Sequence, residues 1–146
     1  MLRRRPFLPD ALHSAWWTFE ECVEIIERGR RHLLATLPAG RVEPAPVEVG
    51  LEALSRAIKE CRARMDHWHV PDLTHIWSQC LAALDEAAEA IPVAHRVAGS
   101  ANELEDLLAV VNEVVEPLVM FGEAERVWRR RWRLPVARSS PAGPGA

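Results

Sequence analysis

Apolar residues return along most of this chain at alternating spacings of three and four, the period of a helix that buries one side. The first run predicts a helix from Asp10 to Leu37. Its apolar side comprises Leu12, Trp16, Phe19, Val23, Ile26, Leu33 and Leu37. A second run predicts a helix from Val49 to Trp68, after a proline-containing loop over residues 38–48. Its apolar side comprises Leu51, Leu54, Ile58, Cys61, Met65 and Trp68.

A third helix is bounded by prolines. Pro71 ends the second helix, Asp72 is a suitable N-cap for the third, and Pro92 is predicted to end it. The apolar side comprises Leu73, Trp77, Cys80, Leu84, Ala87 and Ile91. Because Glu86 and Glu89 lie nearly opposite this side, we expect both carboxylates to face solvent.

The fourth apolar run lies between Ser100 and Leu134. Ser100 followed by Glu103 has the spacing of a capping box, which predicts a helix start there. The apolar side begins with Leu104, Leu107, Val111, Val114 and Leu118. Pro117 lacks an amide donor, so a kink or a break is expected near Val114.

These four runs predict an all-α fold, an antiparallel four-helix bundle, or five helices if the chain breaks near Pro117. The expected organisation is a basic leader over residues 1–9, one bundle domain over residues 10–134 and a disordered tail over residues 135–146.

Charge is distributed unevenly along the 146 residues. All 21 acidic residues and nine of the 18 basic ones lie between residues 10 and 125, which gives this body a charge of −12. The remaining nine arginines, at the two ends, carry +9. The ends are therefore expected either to fold back on the body, to remain solvated, or to contact an acidic partner.

The three cysteines, Cys22, Cys61 and Cys80, fall on the apolar sides of three different helices. They are predicted to be buried free thiols of a reducing compartment. No apolar run approaches the ~18 residues of a membrane span, so the expected location is the cytoplasm.

Polar residues of metal-ligand type cluster around the second turn. These are Asp66, His67, His69, Asp72 and His75. No H-x-x-x-H pair is present, so the favoured interpretation is polar turn and cap residues; a metal site is the alternative.

Arginine and histidine are also paired at a spacing of five near this turn. Arg62 with His67, and Arg64 with His69, resemble the arginine–histidine spacing of HEPN ribonucleases. That resemblance implies action on RNA at a dimer cleft.

Four carboxylates resemble the E-x-x-E … E-x-x-D motif of MazG-like nucleotide pyrophosphohydrolases. They are Glu86, Glu89, Glu103 and Asp106, and the resemblance covers about residues 73–116. It implies that these side chains would hold Mg²⁺ and that the protein would hydrolyse nucleoside triphosphates with release of pyrophosphate.

Beyond Pro117 the fourth run becomes rich in tryptophan and arginine. Phe121, Trp128 and Trp132 lie on one side; the arginines of the other side are Arg126, Arg129, Arg130 and Arg133. This segment either closes the core or binds a partner, which could be an acidic protein, RNA or an anionic membrane surface.

The favoured interpretation is a non-catalytic interaction module with no cofactor. We expect it to self-associate, and Trp17, on the polar side of the first helix, is a second candidate contact residue. The pyrophosphohydrolase and the RNA-acting protein are the alternatives.

Overall fold

The computed structural model describes residues 9–37 and 43–132. Four α-helices follow one another: α1 (Asp10–Ala35), α2 (Pro44–Arg64), α3 (Thr74–Ser100) and α4 (Leu104–Arg131). Two short 3₁₀ helices, Met65–Trp68 and Pro71–Leu73, turn the chain between α2 and α3. The predicted all-α bundle is confirmed.

Each helix packs against its neighbours in sequence, and α1 also packs against α4. The four helices therefore stand at the corners of a square, and the short connections make successive helices antiparallel. The α1–α2 face is opposite the α3–α4 face. None of the described helices combines the length and apolar character that crossing a lipid bilayer requires.

The core is formed by the apolar sides that the sequence pattern predicts. All six residues of the predicted apolar side from Leu51 to Trp68 are buried, four of them in α2 and two in the 3₁₀ helix that follows it. We call the end of the bundle where α1 begins and α4 ends the upper end. Towards this end, the Phe19 ring stacks on Trp68 with centroids 4.3 Å apart and meets Phe121 edge-on at 6.4 Å. Aromatic rings of this size supply much of the burial energy of a small bundle.

Two predicted helix boundaries at prolines are wrong, the break considered at Pro117 does not occur, and α2 ends at Arg64, before the predicted Trp68. Helix α2 begins at Pro44, within the predicted loop, because proline is tolerated in the first turn, where amides have no helical partner. Pro92 lies inside α3 and Pro117 inside an unbroken α4. The carbonyls that they leave without an amide belong to the exposed residues Ala88 and Glu113, where water can bond to them.

The capping box at Ser100 is also wrong, as a consequence of the longer α3. Ser100 is the last residue of that helix, and its hydroxyl donates to the carbonyl of Arg96 at 3.2 Å. Glu103 occupies the N-cap position of α4 without a side-chain cap. Residues 1–8 of the predicted leader and the whole predicted tail lie outside the described residues.

Candidate functional site

The tryptophans at the end of α4 belong mainly to the core. Trp128 is 1% exposed, and the partly buried Trp132 packs on the same core with its ring centroid 6.3 Å from that of Trp128. Trp128 therefore packs in the core of the folded bundle, and its contact with a partner stays a prediction. Its spacing from Phe121 follows the core seam, so of the two alternatives the packing role is the one observed.

The arginines around these tryptophans differ in environment. Arg126 is exposed and pairs with Glu123 at 2.5 Å. Arg129 is largely buried, with its Nη2 3.6 Å from Oε2 of Glu125, whereas Arg130 is exposed. Arg133 lies outside the described residues. A role for Arg126 and Arg130 in binding stays a prediction.

Trp17 is 42% exposed on the outer side of α1, as its position in the pattern predicts. Self-association through this residue stays a prediction.

The four carboxylates of the E-x-x-E … E-x-x-D pattern are all exposed, but the structure does not bring them together. Because α3 continues through Pro92, Glu89 lies ~16 Å along the helix from its end at Ser100, whereas Asp106 lies ~3 Å from the start of α4. Within residues 9–37 and 43–132, no three His, Cys, Asp or Glu side chains are grouped to hold a metal ion.

The histidines of the second turn have ordinary surroundings. His69 stacks on Trp77 at 4.2 Å and lies within 3.4 Å of the Thr74 hydroxyl. His67 and His75 are exposed. These contacts fit turn residues that cover the end of the bundle.

The arginines of the HEPN-like spacing join helices. Arg62 of α2 pairs with Asp85 of α3. Arg64 pairs with Glu21 of α1 at 2.6 Å and with Glu60 at 3.1 Å. Their ion pairs account for both side chains without a role at an RNA cleft.

A long groove between α3 and α4 has no counterpart in the sequence predictions. It consists of two adjoining cavities of about 570 and 400 Å³, which share Gln79, Met120 and Glu123. We call this the α3–α4 groove. Its α3 side comprises Ile76, Gln79, Ala82, Ala83 and Glu86; its α4 side comprises Glu116, Pro117, Val119, Met120, Glu123, Ala124 and Val127.

The groove forms because α3 presents small side chains there. Ala82 and Ala83 stand opposite Met120, so the longer side chain meets little bulk and stays 38% exposed. Val119 and Val127 are also exposed, at 40% and 51%. Exposed apolar side chains gathered in one place are a common mark of an interaction site.

The walls of this groove are acidic. Glu86, Glu116 and Glu123 line the larger cavity, and a third cavity of about 340 Å³ beside it is lined by Glu86, Glu113, Glu116 and Pro117. Asp72, His75 and Arg131 stand at the upper end. Below this upper end, the groove has an apolar floor and negatively charged edges.

The sequence did carry a signal for this groove. Val119, Met120 and Val127 fall off the seam that begins at Leu104, yet each has a glutamate three or four residues away. Apolar residues outside a core seam are candidates for a second surface. The partner stripe on α3 is mostly alanine and glutamine, which the pattern does not distinguish from solvated helix.

A buried polar contact between α1 and α4 was likewise not predicted. Glu20 and Glu125 are 4% and 3% exposed, and the indole Nε1 of Trp16 donates to Oε1 of Glu125 at 3.5 Å. Burial raises the pKa of Glu125 and the nearby Glu20 adds to the rise, while Arg129 and the Trp16 hydrogen bond oppose it. Glu125 was recognisable, because it continues the seam between Phe121 and Trp128.

The three cysteines are free and buried, as predicted, whereas the reducing compartment stays a prediction. Cys61 Sγ lies 3.5 Å from the backbone carbonyl of Cys22, so α1 and α2 meet at these two residues. Burial raises the pKa of Cys80 to about 12. A thiol protonated in this way is a poor nucleophile at neutral pH.

The fold defines a four-helix bundle with an acidic, apolar-floored groove. No protein-family model matches the chain, and no curated protein and no solved structure matches it either.

Proposed function

We propose that this protein is a non-catalytic interaction module that binds a basic amphipathic helix of a partner protein in the α3–α4 groove. The observation that carries the proposal is the exposed apolar floor around Met120, bordered by Glu86, Glu116 and Glu123. Helices that bind in grooves place apolar anchors every three or four residues on the floor and keep their polar face outward.

The dimensions of the groove suit such a ligand. From Asp72 to Glu86 it follows α3 for ~21 Å, the length of a helix of about 14 residues. Methionine is an adaptable surface for apolar anchors of different shapes because its side chain is unbranched and polarisable.

Charge selects the class of partner. Glu86 and Glu116 along the larger cavity attract lysine and arginine and raise the association rate of a basic segment, while Glu123 is already paired with Arg126 and adds less. The same carboxylates repel nucleic-acid phosphates, which disfavours RNA as the occupant. The partner that suits this groove is therefore basic, whereas the arginine-rich end of the sequence predicted an acidic partner.

A fluorescently labelled peptide tests this proposal. It should form a helix of about 14 residues with leucines at positions i, i+3, i+4 and i+7 and with arginines elsewhere. We expect saturable binding measured by anisotropy, weakening as salt rises because the attraction involves exposed charges. A peptide with glutamate in place of each arginine should not bind.

Two matched variants locate the binding site. Met120→Glu places a charge on the groove floor and should weaken binding at least tenfold, about 1.4 kcal/mol. Val49→Glu makes the same kind of change on α2, where Val49 is 58% exposed, and should leave the affinity unchanged. Equal affinity of both variants, with unaltered melting temperatures, would rule out the groove as the site.

A further inference from the structure

The chain itself carries a segment that matches the groove. We infer that residues 1–8, MLRRRPFL, occupy the α3–α4 groove of their own molecule when no partner is bound. This inference rests on the proposed function, because it treats the segment as an internal competitor for the same site.

Charge and apolar content both fit. Residues 3–5 are three consecutive arginines, and the larger cavity presents the carboxylates of Glu86 and Glu116 together with Glu123, which also pairs with Arg126. Arginine pairs with carboxylates through paired hydrogen bonds, which makes such contacts stronger than those of neutral groups. The segment's apolar anchor for the floor would be Leu2, whereas Phe7 and Leu8 are too close to Asp10 to reach beyond α4.

Residues 1–8 precede α1, which begins at the same end of the bundle as the upper cavity of the groove. Helix α1 begins at Asp10, and the contact of Trp16 with Glu125 sets that beginning beside the last turns of α4. The upper cavity of the groove is lined by Asp72 and Arg131, at the same end.

The distance is within reach of eight residues. Helix α4 separates α1 from the groove, and a helix with its side chains is ~10 Å wide. An extended chain of eight residues spans roughly 26 Å. The segment is therefore long enough to cross the end of α4 and run down the groove.

The other basic end fits less well. Residues 133–146 hold two arginines, Arg133 and Arg138, five positions apart, and end in a run of small residues, SSPAGPGA. The N-terminal segment offers more charge within a shorter length, so we assign the groove to it.

Methionine methyl resonances of the full chain test this assignment. The chain has three methionines: Met1 in the segment, Met65 in the core at 2% exposure, and Met120 on the groove floor. Relative to the natural chain, the variant R3E/R4E/R5E should shift the Met120 methyl signal and leave that of Met65 in place. The variant R133E/R138E is the matched control and should leave both unchanged.

The same variants separate this inference from the proposed function. If the segment fills the groove nine-tenths of the time, R3E/R4E/R5E should bind the basic peptide about tenfold more tightly than the natural chain. Peptide binding that shifts Met120 equally in both proteins would uphold the proposed function and overturn the inference. Absence of peptide binding in both the natural chain and R3E/R4E/R5E would overturn the proposed function and, with it, the inference.

Two further outcomes would also overturn the inference. A Met120 shift produced only by R133E/R138E would identify the C-terminal segment as the occupant. A Met120 signal of the natural chain that moves on twentyfold dilution would identify a second copy as the source of the segment.

Discussion

The indole Nε1 of Trp16 lies 3.5 Å from Oε1 of Glu125 and joins the second turn of α1 to the last two turns of α4. Glu125 is almost completely buried there, with Glu20 close by. Its surroundings hold a tryptophan donor and a largely buried arginine, yet burial outweighs both and raises its pKa.

This raised pKa predicts a pH-dependent stability. A carboxyl group whose pKa is higher in the folded than in the unfolded state stabilises the fold in its protonated form. The contribution is complete below the ordinary pKa, near 4.5, and is lost as pH rises through the folded value. We therefore expect Glu125→Gln to gain stability relative to the natural chain over the pH range above that ordinary value, measured by urea unfolding.

The exposed Glu89 provides the control for this experiment. Glu89→Gln changes the same functional group on the surface of α3 and should show no such gain. A stability difference for Glu125→Gln that stays constant across this pH range would contradict the assignment.

Trp128 and its neighbour Val127 should respond very differently to truncation. Trp128→Ala removes a side chain that is 1% exposed and should lower the free energy of unfolding by ~3–5 kcal/mol. Val127→Ala, at 51% exposure, should change it by less than ~0.5 kcal/mol. Chemical denaturation of both variants tests this. A small effect of Trp128→Ala would contradict the burial of that side chain in the core.

Two helical glycines should respond to alanine with opposite signs. A Cβ on Gly122 would meet Glu27 Oε1 at 3.4 Å, an ordinary contact with a flexible side chain. Gly122→Ala should therefore stabilise by ~0.5–1 kcal/mol through helix propensity. A Cβ on Gly50 would lie 3.0 Å from Leu33 Cδ1 and 3.3 Å from its Cα, which is backbone.

Gly50→Ala should accordingly destabilise by ~1–3 kcal/mol, because α1 and α2 would have to separate. Melting temperatures of the two variants provide the comparison. The same sign of change in both would show that the approach of α1 to α2 at Gly50 does not limit packing.

The thiols should be protected in the folded state. Cys22, Cys61 and Cys80 are each fully buried, and Cys80 has a pKa of about 12. We expect the native protein to react with a chromogenic disulfide reagent far more slowly than the urea-unfolded protein, in which all three thiols should react. Rapid modification of one thiol in the native protein would reveal local opening of its helix.

Heptad spacing was sufficient to predict the four helices and most of their buried sides. Apolar residues at spacings of three and four, such as those from Leu51 to Trp68, lie on one side of a helix but not on one side of a strand. Proline positions misled the predicted boundaries at Pro44 and Pro92, and the break considered at Pro117 does not occur. The cost of an internal proline depends on whether water reaches the freed carbonyl, and this depends on the position of the helix in the bundle.

The candidate site was less predictable, because it depends on two helices at once. Met120 becomes a groove floor only because Ala82 and Ala83 of α3 stand opposite it. The Glu20–Glu125 proximity likewise requires the packing of α1 on α4. Neither of these relations joins residues that are close in the sequence. The carboxylate motif that ends at Asp106 does join residues of one short stretch, but the longer α3 keeps its two halves apart in space.

The lining of the α3–α4 groove has a further consequence. Val119, Met120 and Val127 lie outside the core seam of α4, so the side chains that hold the bundle together and those that would recognise a partner are largely separate sets. Substitutions at these three positions can change affinity or partner preference with little effect on folding. The binding specificity that we propose for the groove is therefore free to diverge while the stability of the fold is conserved.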